Sequence, residues 1–304
     1  MIDNGKSLYF TKEEIEELLK KEVGHGTDGR VLPYTKKELL KLYHDSLKMM
    51  KENQSSLVDD IKIYDKNKIN FKRESDDQTS FYAKDDAEYI RLHKVESLKK
   101  ATSRQEGIVH SKLPQRLVYI DGHLAGCTLA FQKGIEIHKL TGLPLVMKKK
   151  IMLKVLDATH ELVENHIYPI DLDNSPFSSK AIYVNEQNVM EKVGHSHVLV
   201  TLMPLEVHLI DLDGKSTIYT DFKNEQLEQD SYASFTRLMK EFLLNFNLDE
   251  MQAYEDMNFA FKDYITDEAF LDKLIQDHLN YEELVQFISN YGTKKMSNIN
   301  EMHR

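Results

Sequence analysis

The chain has 304 residues, 41% hydrophobic and 30% charged, a balance that argues against a largely disordered polymer and suits two packed domains better than one average core. Its formal net charge of −10 speaks against nucleic acid as a partner, and the local run Lys148-Lys149-Lys150 reads as the solvated start of a helix. A single cysteine, Cys127, excludes an intramolecular disulfide, and its apolar surroundings read as the setting of a small buried hydrophobe rather than a catalytic thiol.

The first residues, Met1-Ile2-Asp3-Asn4-Gly5-Lys6, carry no apolar leader stretch, and no window approaches the length of a membrane span. A cytoplasmic chain with no membrane partner is therefore expected. Thr11 and Glu14 form a capping box and predict a short helix with Ile15, Leu18 and Leu19 on one face, ending by Gly24. Gly24-x-Gly26-x-x-Gly29-x-Val31 follows. Glycines let a backbone turn approach phosphates closely and aim its N–H groups at them. A dinucleotide-binding turn would need a long helix immediately afterwards, and Pro33 opposes one, so the segment fits a loop between two strands better.

Residues 38–43 are ambiguous. As a strand they place Leu40 and Leu42 on one face. As a helix they start from a second capping box, Thr35 to Glu38, and Leu39, Tyr43, Leu47 and Met50 form one stripe. Pattern alone favours the helix, with Lys41 a solvated lysine on it. Residues 52–84 are polar and read as an insertion with local strands, Ile61-Lys62-Ile63-Tyr64 among them. Helical spacing returns over 85–100, through Ile90, Val95 and Leu98. Strands at 117–120 and 124–131 flank Asp121-Gly122, a hairpin turn pair.

Beyond Gly134 helices dominate. The first, over 151–165, lines up Met152, Val155, Leu156, Leu162 and Val163. Short strands at 181–184 and 207–210 interrupt the series. The last helices bury Phe235, Leu238 and Phe242, then Phe270, Leu271 and Leu274, then Leu284, Phe287 and Ile288. A strand-rich part followed by a helix-rich part makes an α+β chain in two lobes, residues 1–132 and 133–304, with an insertion near 44–84. The strand at 207–210 ends in the acidic turn Asp211-Leu212-Asp213-Gly214. His195-Ser196-His197 has the alternation of a metal pair but no identifiable third ligand, so two surface histidines are expected.

In this order the segments resemble the protein-kinase-like superfamily, and the hairpin over 116–126 is similar to that of kinase-like proteins of bacteria. The resemblance spans roughly residues 15–290. It implies a two-lobed α+β fold with an antiparallel-sheet N-lobe and a mainly helical C-lobe. Gly24, Gly26, Gly29 and Val31 would form the glycine-rich loop over nucleotide phosphates. Lys41 would reach those phosphates from the third strand, which requires the strand reading of 38–43. Glu96, or alternatively Glu88, would orient Lys41, and backbone over 129–132 would face an adenine. Asp171, in the Asp171-Leu172 pair, would accept a hydroxyl proton, and Asp211 would hold Mg2+.

The chain departs from the kinase pattern at the catalytic loop. Pro169-Ile170 stands where a His-Arg pair belongs, and Pro176 stands five residues after Asp171, where a metal-binding asparagine belongs. Ala181 takes that position if the strand at 181–184 sets the register, and Asn174 substitutes only with a rearranged loop. The resemblance thus implies an ATP-binding, Mg2+-using protein whose partners are a nucleotide and an unidentified protein or small-molecule acceptor. Two readings stay open: a phosphotransferase to a hydroxyl, and a pseudokinase acting as an interaction or scaffold module. A third is a metal-dependent glycosyltransferase using Asp211 and Asp213, which leaves the glycine loop and Lys41 without a role.

Overall fold

A computed structural model of the chain describes residues 1–3, 5–25, 29–44, 46, 47, 72–75, 78–82, 97–104, 106–172, 182–184, 190–192, 197–213, 217–244, 265 and 267–292. Two compact units emerge. The first joins Met1–Gln132 with Asp211–Tyr219, and the second joins Lys133–Ile210 with Thr220–Arg304.

The first unit contains β1 (Ile2–Asp3), β2 (Ser7–Phe10), α1 (Lys12–Leu19), β3 (Gly24–His25), β4 (Gly29–Pro33), β5 (Glu38–Tyr43), β6 (Lys72–Ser75), β7 (Gln78–Tyr82), β8 (Arg116–Ile120) and β9 (His123–Ala130). Strands β6 and β7 form a separate antiparallel ribbon. The other strands make one seven-stranded sheet in the order β1-β2-β8-β9-β5-β4-β3. Every pairing in it is antiparallel except that of β2 with β8, which runs in parallel from Ser7↔Leu117 to Phe10↔Ile120. The N-terminal ribbon is thus an addition to the expected antiparallel sheet. Its inward residues, Leu8 and Phe10, are too few to register as an alternating strand in sequence.

Local signals form as their residues dictate. In the capping box of α1 the Thr11 hydroxyl accepts the Glu14 N–H at 3.3 Å, and the Glu14 carboxylate accepts the Thr11 N–H at 3.0 Å. That helix drops Ile15 into a core with Leu8, Phe10, Leu32, Leu40, Leu42, Val118 and Ile120. Asp121 and Gly122 turn the β8–β9 hairpin with φ of 48° and 84°.

Residues 38–43 form a strand and not the helix that their stripe favours. β5 is flanked on both sides, with Lys41 opposite Val31 of β4 and Cys127 of β9. Two partner strands satisfy the backbone, and Leu40 and Leu42 become fully buried, so tertiary pairing overrides local propensity. Two glycines permit the fit. A Cβ on Gly126 would meet the Lys41 carbonyl oxygen at 1.9 Å, and one on Gly29 would meet that of Leu42 at 2.3 Å. Arg116 of β8 ties the sheet laterally. Its Nη1 reaches Asp3 at 2.7 Å, its Nη2 reaches Glu38 at 2.6 Å, and its guanidinium lies 5.6 Å from the Tyr34 ring centroid.

The second unit holds β10 (Ile135–Glu136), α2 (Leu145–Glu164), β11 (Ile167–Pro169), β12 (Ile182–Val184), β13 (Met190–Lys192), β14 (Val198–Leu202) and β15 (Leu205–Leu209). Strands β10, β14 and β15 form one antiparallel sheet. The chain then gives β16 (Thr217–Tyr219) to the first unit and returns as α3 (Glu225–Phe242), α4 (Glu268–Ile275) and α5 (Tyr281–Asn290). The helices carry the expected faces: Met152, Val155, Leu156, Leu162 and Val163 of α2 are buried, and α2 packs against α3, α5 and β15. Of the helix expected over 85–100, residues 97–100 are described and helical, and the helix continues to 103. Ile61-Lys62-Ile63-Tyr64 lies outside the described residues.

The lysine run at 148–150 is not simply solvated. Lys148 Nζ donates to the Phe242 carbonyl at 2.9 Å, and Lys149 Nζ donates to those of Ser289 and Tyr291 at 2.7 and 2.9 Å. Both cap the carboxyl ends of other helices, where cations are favoured. Lys240, 3% exposed, does the same for α4 through Ile275 O at 2.8 Å and Asp277 Oδ1 at 2.7 Å. Among the described residues no helix is long and apolar enough to cross a membrane.

Two stability outcomes are expected in urea unfolding. Gly126→Ala forces strand β9 from β5 and lowers stability by about 1–3 kcal/mol. Lys240→Met keeps the side-chain bulk, leaves the Ile275 carbonyl and Asp277 without their donor, and costs about 2 kcal/mol.

Candidate functional site

Lys41 projects from the central part of β5 into a cluster of polar side chains within the first unit. Its ammonium donates to Asp211 and, at 2.9 Å, to Asp213 Oδ1. Two residues along the same strand, on the same face, the Tyr43 hydroxyl donates to Asp213 Oδ2 at 2.7 Å. The Tyr219 hydroxyl of β16 donates to the Leu212 carbonyl, fastening the segment between the two aspartates. Asp211 itself has φ of 63°, the left-handed region that non-glycine residues rarely occupy.

The two carboxylates differ in exposure. The Asp213 side chain is 3% exposed and that of Asp211 25%, against 9% for Lys41. Burial alone would push the Lys41 ammonium down, but the charges of Asp213 and Asp211 outweigh it and hold its pKa above the usual lysine value. Burial pushes the Asp213 carboxyl up against the pull of Lys41. Burial, helped by the Asp213 charge, also raises the Tyr43 hydroxyl and the Cys127 thiol, so Cys127 stays a protonated, buried thiol as its sequence setting implies. One ammonium faces two carboxylates.

That donor set fits a cation shared with phosphates. Among the described residues no group of three or more His, Cys, Asp or Glu stands together as a metal cage. Mg2+ needs no such cage, since it takes one or two carboxylates and completes its octahedron with phosphate oxygens and water. Asp211, the more exposed carboxylate, is the one such an ion can reach, with Asp213 behind it.

The described residues of the glycine-rich segment lie in two strands, β3 and β4. Gly24 pairs with Val31 and His25 with Arg30, so β3 and β4 form a hairpin, which excludes a strand-to-helix dinucleotide turn. Gly29 opens β4 opposite Tyr43, where its missing side chain makes room for β5. Near the end of β9, Leu129 and Ala130 pair with β5, and the Phe131 N–H donates to the Lys37 carbonyl at 2.7 Å. Gly26, Glu88, Glu96, Asn174, Pro176, Ala181 and His195 lie outside the described residues.

Asp171 belongs to the second unit, just beyond β11. Its backbone is held by residues that spacing did not flag. The His197 Nδ1 contacts the Asp171 carbonyl, the His197 N–H donates to the Leu172 carbonyl at 3.3 Å, and the Leu172 N–H donates to Ser234 Oγ at 2.7 Å. His197 is thus half-buried and engaged, contrary to the surface histidine expected. Asp213 and Tyr43 were also missed in these roles: Asp213 reads in sequence as part of an acidic turn, and Tyr43 as part of a helical stripe.

No family model matches the chain, and no curated protein matches it. Solved structures do. A double-mutant form of the PknI kinase domain of Mycobacterium tuberculosis superposes with a TM-score of 0.50 at 11% identity, over 89% of this chain and 93% of that one. A single-mutant form of the same domain gives 0.48 at 10% identity over 89% and 93%, and the Cydia pomonella granulovirus kinase PK-1 gives 0.43 at 10% over 90% and 96%. The assignment rests on the first of these, together with the mixed sheet and the helices described above. The chain has a protein-kinase-like α+β fold.

Proposed function

We propose that the chain binds ATP with Mg2+ through Lys41 and Asp211 and transfers the γ-phosphoryl group to a hydroxyl of a protein or small molecule. The observation that supports this best is the buried Lys41 ammonium set against two carboxylates, Asp211 and Asp213. When bound, the nucleotide and its metal supply the phosphoryl group and neutralise its charge. Lys41 binds phosphate oxygens and Asp211 holds the cation. Gly24, Gly26, Gly29 and Val31 belong to the stretch 24–31, whose backbone approaches the phosphates. Asp171 takes the proton of the acceptor hydroxyl as that oxygen bonds the γ-phosphorus and the P–O bond to the departing ADP breaks. Asn174 keeps the supporting role that the resemblance gives it. The net charge of −10 stands against nucleic acid as the acceptor.

One observation favours a second reading, a nucleotide-binding module that does not transfer phosphate. Pro176 occupies the position where the second metal ligand of a kinase belongs. The glycosyltransferase reading is weaker, because Asp211 and Asp213 are both engaged by a lysine which that chemistry does not use.

Thermal unfolding with ATP, with and without Mg2+, tests the binding. A Mg2+-dependent rise in midpoint is expected, corresponding to about 2.7 kcal/mol at ATP a hundredfold above its Kd. Lys41→Ala and Asp211→Ala should lose it; no rise in the unaltered chain would overturn the proposal. Asp171→Ala separates the two readings. It should keep the midpoint shift and lower release of labelled γ-phosphate by about 10²–10⁴-fold. No release from the unaltered chain, with binding intact, would leave the module that binds without transfer.

A further inference from the structure

We infer that Asp213, fixed by the hydroxyl of Tyr43, is the residue that positions the Lys41 ammonium, the role that resemblance gave to Glu96. Its consequence for catalysis rests on the ATP-binding reading above, but the geometry stands without it. Asp213 holds Lys41 at 2.9 Å through one carboxylate oxygen and receives the Tyr43 hydroxyl at 2.7 Å on the other. Both oxygens are thereby committed, and the carboxylate has little freedom to rotate. Its side chain is 3% exposed, so no water layer competes for it. Tyr43 and Lys41 share one strand and one face, so β5 supplies both the cation and the clamp on its counter-ion.

Asp211 cannot do both jobs that the cluster requires. It is the more exposed carboxylate, and a cation held there would compete with Lys41 for it. Asp213 then keeps the ammonium in place, where it would meet phosphate oxygens. The arrangement is self-contained within the first unit, because Asp211–Tyr219 belongs to it. Tyr219 adds the last restraint by holding the Leu212 carbonyl between the two acids. Asp213 is accordingly a positioning residue, acting on the nucleotide only through Lys41.

The test reads the lysine directly. The intact chain is treated with a trace of acetic anhydride, and the acetylation of Lys41 is followed by peptide mass spectrometry in the unaltered chain, Asp213→Asn, Tyr43→Phe and Glu96→Gln. Mg2+–ATP binding is measured on the same samples by thermal shift. Asp213→Asn should raise the Lys41 acetylation rate and the Kd for Mg2+–ATP each on the order of tenfold, the loss of one charge-assisted hydrogen bond. Tyr43→Phe should move both in the same direction by less, and it carries the test alone if Asp213→Asn does not fold. An unchanged Lys41 in both variants, with a rise in Glu96→Gln, overturns the inference and returns the role to Glu96. A rise in Lys41 reactivity in a chain that does not bind Mg2+–ATP at all sustains the positioning role and rejects the ATP-binding reading.

Discussion

A lysine ammonium sunk in a β-sheet is the constraint around which the first unit is organised. Unpaired, such a charge costs several kcal/mol. Lys41 is paired only because residues 170 and 172 positions later come back to it, Asp211 and Asp213. The dependence is mutual. Without Lys41, Asp213 would be a buried carboxylate whose remaining donor here is a tyrosine hydroxyl, and Asp211 would lose the ammonium that it meets from a left-handed backbone. The discontinuity of the first unit is therefore an electrostatic necessity: the sheet is not electrically complete until the second aspartate is delivered.

How much of this the sequence disclosed follows the range of the interaction concerned. The capping box at Thr11, the Asp121-Gly122 turn and the apolar faces of α2, α3, α4 and α5 are decided within a few residues, and all are legible. Residues 38–43 are the counter-example. Their stripe is a good helix, and only β4 and β9 on either side make a strand of them. The same holds for the site. Lys41 and Asp211 could be singled out by their order in the chain. The clamp of Tyr43 on Asp213 and that of His197 on Asp171 could not, because each joins segments with no common period or spacing. The lysines at 148–150 mislead for the same reason: the carbonyls that Lys148 and Lys149 cap lie 94, 140 and 142 positions away.

Fold and activity are separate questions here. At 11% identity a shared fold survives through its sheet order and helix packing, which tolerate almost any side chain of suitable size and polarity. A kinase catalytic loop tolerates far less, and the segment that the resemblance would make that loop carries Pro169-Ile170 and Pro176 in place of polar residues. Gly29 shows how the two levels overlap. Its sequence position suggests a phosphate-facing glycine, and its structural position already requires a glycine so that β4 can approach β5.

The helix-capping lysines alter the electric field that the protein presents. Lys148, Lys149 and Lys240 direct their ammonium groups at carbonyls ending helices α3, α5 and α4, where each cancels part of a local negative pole. Each ammonium comes from a different helix than the one it caps, so fraying at one helix end removes a contact from its neighbour as well.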